Sequence, residues 1–192
     1  MDVRELILKT RSYRRFHQQE TVPVEVLRDL VDLARIAQSP WNQQAARFLL
    51  CNRPEKNAEI FALLAWAARM PDWPGPAEGE RPPAYIVIVG DREISNVFPS
   101  DHVVAGTAIL LGATERGLGG CLVGAFSKKK MSEVLGLGPR YEPLLAVALG
   151  RPKETVVLDQ IGPDGSTAYW HDQNGVHHVP KRSLDDLILG VL

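Results

Sequence analysis

The chain has 192 residues, 45% of them apolar, with a formal net charge of -1 and a pI of about 6.5. That is enough chain for one well-buried core and too little for two, and the balanced charge leaves no basic field to collect nucleic acid or an anionic membrane. Cys51 and Cys121 sit in apolar runs, "FLLCN" and "GGCLVG", and read as buried free thiols of a reducing compartment; with no apolar run of bilayer length, the expectation is a soluble cytoplasmic protein.

In chain order, residues 2–9 predict a short helix and residues 22–38 a longer one, with Leu27, Leu30, Val31, Ala34 and Ala37 at helical spacing and Pro40 ending it. "RFLLCN" predicts a buried strand, and Pro54 opens a helix expected over 54–70. Residues 71–83, "PDWPGPAEGERPP", hold five prolines and two glycines, so no regular element runs through them. "AYIVIVGD" reads as an interior strand. Residues 101–117 follow as a small-residue-rich helix, apolar on most sides and suited to a central position or an interface. "GGCLVGAF" and "YEPLLAVALG" predict two more strands, with a helix between them capped by Ser127. In the tail, "PDG" and "QNG" mark turns around "STAYWHD", and "VHHVPKRSLDDLILGVL" leads through an extended piece into a last short helix.

Several patterns fail as functional signals. "GLGGCLVG" follows a helix and precedes a strand, the reverse of a dinucleotide-binding turn, so its glycines read first as a helix cap and tight turn and second as bare backbone open to a flat ligand. His177 and His178 are neighbours that point to opposite faces of an extended segment, and no Asp, Glu or Cys stands at a ligand spacing, so no metal is expected. No nucleophile elbow is present, and the "KKK" of 128–130 reads as a solvated face.

Three stretches share a chemistry. "KTRSYRRFHQ" places Arg11, Arg14 and Arg15 within five residues, interleaved with Ser12, Tyr13 and Phe16; "HHVPKRS" adds Lys181 and Arg182; and "QSPWNQQ" offers the amides of Asn42 and Gln44. Guanidinium and ammonium groups suit a phosphate, and paired amides suit a heterocycle edge or a polyol.

With these pieces in this order, the chain resembles the FMN-dependent nitroreductase family. An Arg-Ser-x-Arg-x-Phe stretch after a first helix is matched by Arg11, Ser12, Arg14 and Phe16. A Ser-x-x-Asn-x-Gln loop is matched by Ser39, Asn42 and Gln44, a Gly-Leu-Gly turn by Gly117, Leu118 and Gly119, an "ALG-x-P" strand end by Ala148 to Pro152, and a late basic pair by Lys181 and Arg182. Thr10 stands where many members have a second arginine, Ala45 and Ala46 where many have proline and an aromatic, and Trp41 where a small residue is usual.

The resemblance implies one FMN-binding domain over 1–192 of the α+β class: a central, largely antiparallel sheet flanked by helices, in an intertwined homodimer with two FMN sites at its interface. It implies that Arg11, Ser12 and Arg14 hold phosphate and ribityl chain, that Lys181 and Arg182 close on the phosphate, that Ser39, Asn42 and Gln44 line the ring and ribityl side, and that the backbone at Gly119 and Gly120 approaches the ring. The implied activity is electron transfer from NADH or NADPH through FMN to a small planar acceptor, nitroaromatic or quinone, by a ping-pong mechanism without a catalytic acid or base. Another flavin enzyme on this fold (reductive dehalogenation or flavin fragmentation) and a non-enzymatic FMN-binding module remain alternatives. Trp41, Trp66 and Trp73 are candidate substrate contacts, the latter two because they flank or lie in a proline-stiffened loop that could cover the flavin. Tyr13 and Phe16 are expected to pin the arginine segment to the core.

Overall fold

Every position of the run Ala84–Asp91 is buried, as a strand covered on both faces must be. In the computed structural model, which describes residues 1–70 and 72–192, this run is β2 of a four-stranded antiparallel sheet. The order is β1-β2-β4-β3, with β1 Ala46–Cys51, β3 Gly119–Val123 and β4 Tyr141–Gly150. Period-two alternation sends Ile86, Ile88, Val147 and Leu149 to one face, under Leu27 and Leu30 of α2 (Val24–Ile36) and Ile109 and Ala113 of α4 (Asp101–Glu115). Tyr85, Val87, Ala146 and Ala148 face the other side, under Ile60 of α3 (Pro54–Phe61) and Met131 of α5 (Lys128–Leu135). The expected α+β class, an antiparallel sheet between helices, is the fold the chain adopts.

The first helix, α1 (Val3–Lys9), starts with a capping box between Asp2 and Glu5. It is tied to α4 through Thr10, whose hydroxyl bonds the Leu6 carbonyl and lies 3.0 Å from the Thr114 hydroxyl. Ser127 caps α5 as its sequence predicts. The helix expected over 54–70 stops at Phe61. Beyond it the backbone turns, with Ala65 N–H bonding Ala125 O and Ala67 in the left-handed region (φ 45°), while Leu64, Trp66 and Ala67 are buried without being helical. Apolar spacing cannot tell residues buried by a helix from residues buried by an irregular segment.

After β4 the chain builds a second, small sheet of order β5-β7-β6, from β5 (Val156–Gln160), β6 (Trp170–His171) and β7 (His177–Lys181). β5 was not among the predicted strands; its short "VVLDQ" run is only half covered, and its partner is β7, in parallel. The small sheet is fastened to the arginine segment, with Phe16 bridged to Pro152 and Lys153 N–H donating to Arg15 O at 2.9 Å. The chain closes with α6 (Leu184–Leu187), exposed throughout. Among the described residues no helix is long and apolar enough to cross a membrane.

Candidate functional site

The arginine segment runs beside the start of β3. Ser12 bridges Gly120, and Tyr13 N–H donates to Gly120 O at 2.9 Å. Gly119 is needed for this approach, and Gly120 for the close packing of β3 on β4 beside it. A Cβ on Gly119 would fall 2.5 Å from the Tyr13 ring, and one on Gly120 2.3 Å from the Ala148 carbonyl oxygen. The bare face expected to receive a flat ligand is therefore filled by the chain itself, and what Gly119 and Gly120 receive is the arginine segment. Phe16 is fully buried and Tyr13 half-buried, pinning the segment as expected.

The three arginines do different work. Arg15 makes a bidentate pair with Glu80 (2.6 and 2.7 Å), and Lys153 reaches the same carboxylate at 3.1 Å; these cations hold the Glu80 carboxyl down to about 2. Arg15 is thus a structural clamp on the proline-rich loop. Arg11 caps α1, donating to the carbonyls of Thr10 and Ile7 (both 2.7 Å), and Arg14 lies over the Tyr169 ring at 5.1 Å with one long contact to Ser12 O (3.3 Å). Neither Arg11 nor Arg14 meets a carboxylate with its guanidinium among the described residues, and the exposed Ser12 lies between them. One oxygen of the nearby Glu154 carboxylate, Oε1, is spent on the backbone, accepting from Arg14 N–H and from Arg15 N–H. Two unneutralised guanidinium groups around a hydroxyl are chemically matched to a phosphate.

The second cluster is a strained loop. Trp41, Asn42 and Gln44 all have φ between 52° and 54°, a conformation costly for residues with side chains and typical of functional sites. Ser39 holds the loop in place: its hydroxyl donates to the buried Asp101 (2.7 Å) and accepts from Gln44 N–H (3.0 Å). Its lone hydrogen is therefore committed to loop architecture. Asn42 and Gln44 are exposed, and Trp41 projects outward with 81% of its surface free. Beside the loop is a cleft of about 260 Å³ lined by Gln44, Arg47, Phe48 and Asp101, smaller than usual ligand pockets.

These clusters occupy opposite corners of the main sheet. Gln44 leads into Ala46, which pairs across β2 with Gly90 and through it with Glu142 at the start of β4, whereas Gly120, which carries Ser12, pairs with Leu149 near the end of β4 on the far edge. Three strand spacings and seven residues along β4 separate them by roughly 28 Å. No single ligand of cofactor size touches both within one chain.

The remaining candidates diverge. Trp66, expected at a substrate, is 8% exposed in the core against Gly75 and Phe61, a correction forced by the backbone turn that buries it. Trp73 is half-buried with its ring 6.2 Å from that of His171. The loop that carries it is fastened by Glu80 to Arg15 and by Gly79 and Arg81 N–H to Gln18; Pro71, at its start, lies outside the described residues. Lys181 ends β7 and Arg182 follows it, both exposed; the Lys181 carbonyl accepts from Ile161 N–H.

What the sequence reading missed is a buried cluster beside Arg14. The hairpin turn at Asp172 sets His171 directly opposite His177, and Glu154 closes on both. Burial and the neighbouring Arg14 charge push His177 down to about 4. His178 points the other way, stacking on Trp170 and pairing with Asp159 at 2.7 Å, so the expected alternation of these neighbours holds.

Comparison with known proteins gives one consistent family. The Nitroreductase family matches residues 7–151, a span that holds every site residue expected from the sequence except Lys181 and Arg182. The chain is 23% identical over 176 residues to "Putative NAD(P)H nitroreductase YodC" of Bacillus subtilis (strain 168), covering 76% of this chain and 87% of that protein. Among solved structures it is similar to a nitroreductase family protein from Streptococcus pneumoniae TIGR4 (TM-score 0.68, 19% identity, 85% and 96% of the two chains). An FMN-dependent nitroreductase from Clostridium difficile R20291 is also similar (TM-score 0.64, 24% identity, 78% and 87%).

Proposed function

Because the chain belongs to the nitroreductase family and is an FMN-dependent NAD(P)H oxidoreductase, we propose that its two separated donor clusters are halves of one FMN site that a second copy of the chain completes. The observation that carries this is their placement at opposite corners of one sheet: about 28 Å is far more than a five-carbon ribityl chain spans. In a twofold dimer the arginine corner of one copy meets the Ser39–Gln44 corner of the other, giving two equal sites. α4 supplies the contact: Val103 and Thr107 are exposed and Leu111 half-exposed on one stripe, so this helix has an apolar face its own chain does not cover.

The residues fit the cofactor. Arg11, Ser12 and Arg14 bind the phosphate, the two guanidinium groups being unmet by any carboxylate among the described residues. Lys181 and Arg182, exposed at the end of β7, add to that anchor. Asn42 and Gln44 of the second copy face the ring, held by the Ser39–Asp101 bond, and Trp41 beside them borders the acceptor position. When bound, FMN supplies the electron transfer, receiving hydride from NADH or NADPH and passing reducing equivalents to a planar acceptor of nitroaromatic or quinone type. The protein orients the reactants and excludes water; no side chain of either corner is needed as an acid or base. Donor and acceptor use the same face in turn, a ping-pong order, and residues 1–192 act as one FMN-binding domain.

Hybrid dimers test the shared site. Arg14→Ala and Asn42→Ala chains, each impaired alone, should when co-expressed form dimers in which one of the two sites carries neither substitution. That site should be bleached anaerobically by NADH or NADPH and reoxidised by a quinone. Sedimentation of the FMN-bound protein as a 21.2 kDa species, or hybrids no better than the parents, rejects the shared site.

A further inference from the structure

We propose that Glu154, His171 and His177 form a metal site of two imidazoles and one carboxylate for a divalent ion of the zinc class. The three ligand atoms lie within 4.8 Å of one another: His177 Nδ1 is 3.1 Å from His171 Nε2, and His171 Nε2 is 3.7 Å from Glu154 Oε2. A tetrahedral ion with bonds of about 2.0–2.1 Å to nitrogen and oxygen needs ligand atoms roughly 3.3–3.4 Å apart, so the triangle is already near the size zinc requires.

The fold supplies this arrangement by three independent means. His171 and His177 are a direct cross-strand pair of β6 and β7 and project to the same face. Glu154 comes from the β4–β5 connection, and its other oxygen, Oε1, accepts from the N–H groups of Arg14 and Arg15, which orients the carboxylate and leaves Oε2 toward the histidines. The Tyr169 ring packs on His177 at 5.3 Å and the Trp73 ring near His171 at 6.2 Å, restricting both imidazole planes. The side chain of Glu154 is 2% exposed and that of His171 22%, so the ligands are held out of water while one edge stays open to entry and to a fourth ligand. Two imidazole nitrogens 3.1 Å apart must share either a proton or an ion.

A filled site would join three parts of the chain: the β4–β5 connection that holds the Arg14 backbone, the β6–β7 hairpin, and the proline-rich loop through Trp73. The ion's role is to fasten the small sheet to the arginine segment, and it takes no part in electron transfer.

The test is calorimetric titration of Zn²⁺ into the purified, FMN-loaded protein after chelator treatment. One ion per chain should bind, and the thermal midpoint should rise with zinc concentration. His171→Gln and His177→Gln should each lose at least about a hundredfold in affinity, while His178→Gln, the adjacent residue on the opposite face, should bind as the wild type does. If the first two variants fold poorly, zinc-edge X-ray absorption of the wild-type protein still decides, with two imidazoles and a carboxylate oxygen expected around the ion. Sub-stoichiometric binding, undiminished affinity in both histidine variants, equal loss in His178→Gln, or an absorption spectrum without paired imidazoles overturns the site and leaves a proton-sharing histidine pair.

Discussion

The two donor-bearing corners of the main sheet are built on opposite principles. The arginine corner is assembled from residues far apart in the chain, with Ser12 on Gly120, Phe16 on Pro152, Arg14 and Arg15 N–H on Glu154, and Tyr13 in the space a Cβ of Gly119 would fill. The loop corner is local: six consecutive residues, three of them left-handed, tied to α4 through the bond between Ser39 and Asp101. The first presents fixed charge and the second presents exposed amides and an indole. Anchoring a phosphate calls for rigidity, because a charge displaced by an ångström loses its hydrogen bonds. In the proposed site, the surface that would admit a donor and then an acceptor is the exposed one.

The largest effect is expected on β3, the strand that carries the arginine corner. Gly120→Ala places a Cβ 2.3 Å from a backbone oxygen, which no side-chain movement relieves, and should cost about 3 kcal/mol, a fall of about 6–12 °C in thermal midpoint. A midpoint within 2 °C of wild type would mean that β3 and β4 do not require the bare backbone of Gly120. Next, Arg14→Ala removes a charge-assisted contact worth about 1.5–3 kcal/mol, so the FMN dissociation constant should rise about tenfold to a hundredfold; equilibrium dialysis measures it. Loss of a similar size from Asn42→Ala would erase the distinction between the corners, since that change should slow flavin reduction while shifting FMN affinity by less than about threefold.

Arg15 sharpens the contrast from within one motif. Its pair with Glu80 belongs to the scaffold, so Glu80→Gln should destabilise the fold by about 2 kcal/mol at pH 7 without weakening FMN. The Glu80 carboxyl is lowered from 4.5 to about 2 in the folded protein. Its stabilisation is therefore complete above the unfolded carboxyl's pKa and drains away as pH falls from about 4.5 through about 2. Urea unfolding of both proteins should show a gap at pH 7 that closes toward pH 2; a constant gap would assign the effect to packing. The smallest change is expected at Trp41, whose ring is almost wholly exposed. Trp41→Ala should leave stability within about 0.5 kcal/mol while altering the ranking of nitroaromatic and quinone acceptors.

Much of the molecule was legible because its elements announce themselves locally. A buried strand such as Ala84–Asp91 is a continuous apolar run, a helix such as Val24–Ile36 repeats at 3.6 residues, and Ser127 and Gly117 occupy caps that few other residues fill. Where the local signal was ambiguous, the reading failed: apolar residues after Phe61 were buried by turns, β5 was too short and too polar to stand out, and Trp66, flat and aromatic like a substrate contact, lay in the core.

The histidines show most clearly where legibility ends. The "QNG" turn is readable in the sequence, but the register that sets His171 opposite His177 comes only with the fold, and in a linear reading only the adjacent pair His177–His178 stands out. Glu154 lies 17 positions before His171 and reaches it only because the small sheet folds back onto the arginine segment. By itself the sequence determined which side chains could carry charge, where the main-sheet strands and most helices lie, and that three polar stretches share a chemistry suited to one cofactor. Only the tertiary structure decided how those charges are spent: Arg15 neutralised by Glu80, Arg11 and Arg14 left without a carboxylate among the described residues, the amide loop set at the far corner. Element formation depends on neighbours along the chain, whereas neutralisation, burial and distance depend on contacts between residues the sequence keeps far apart.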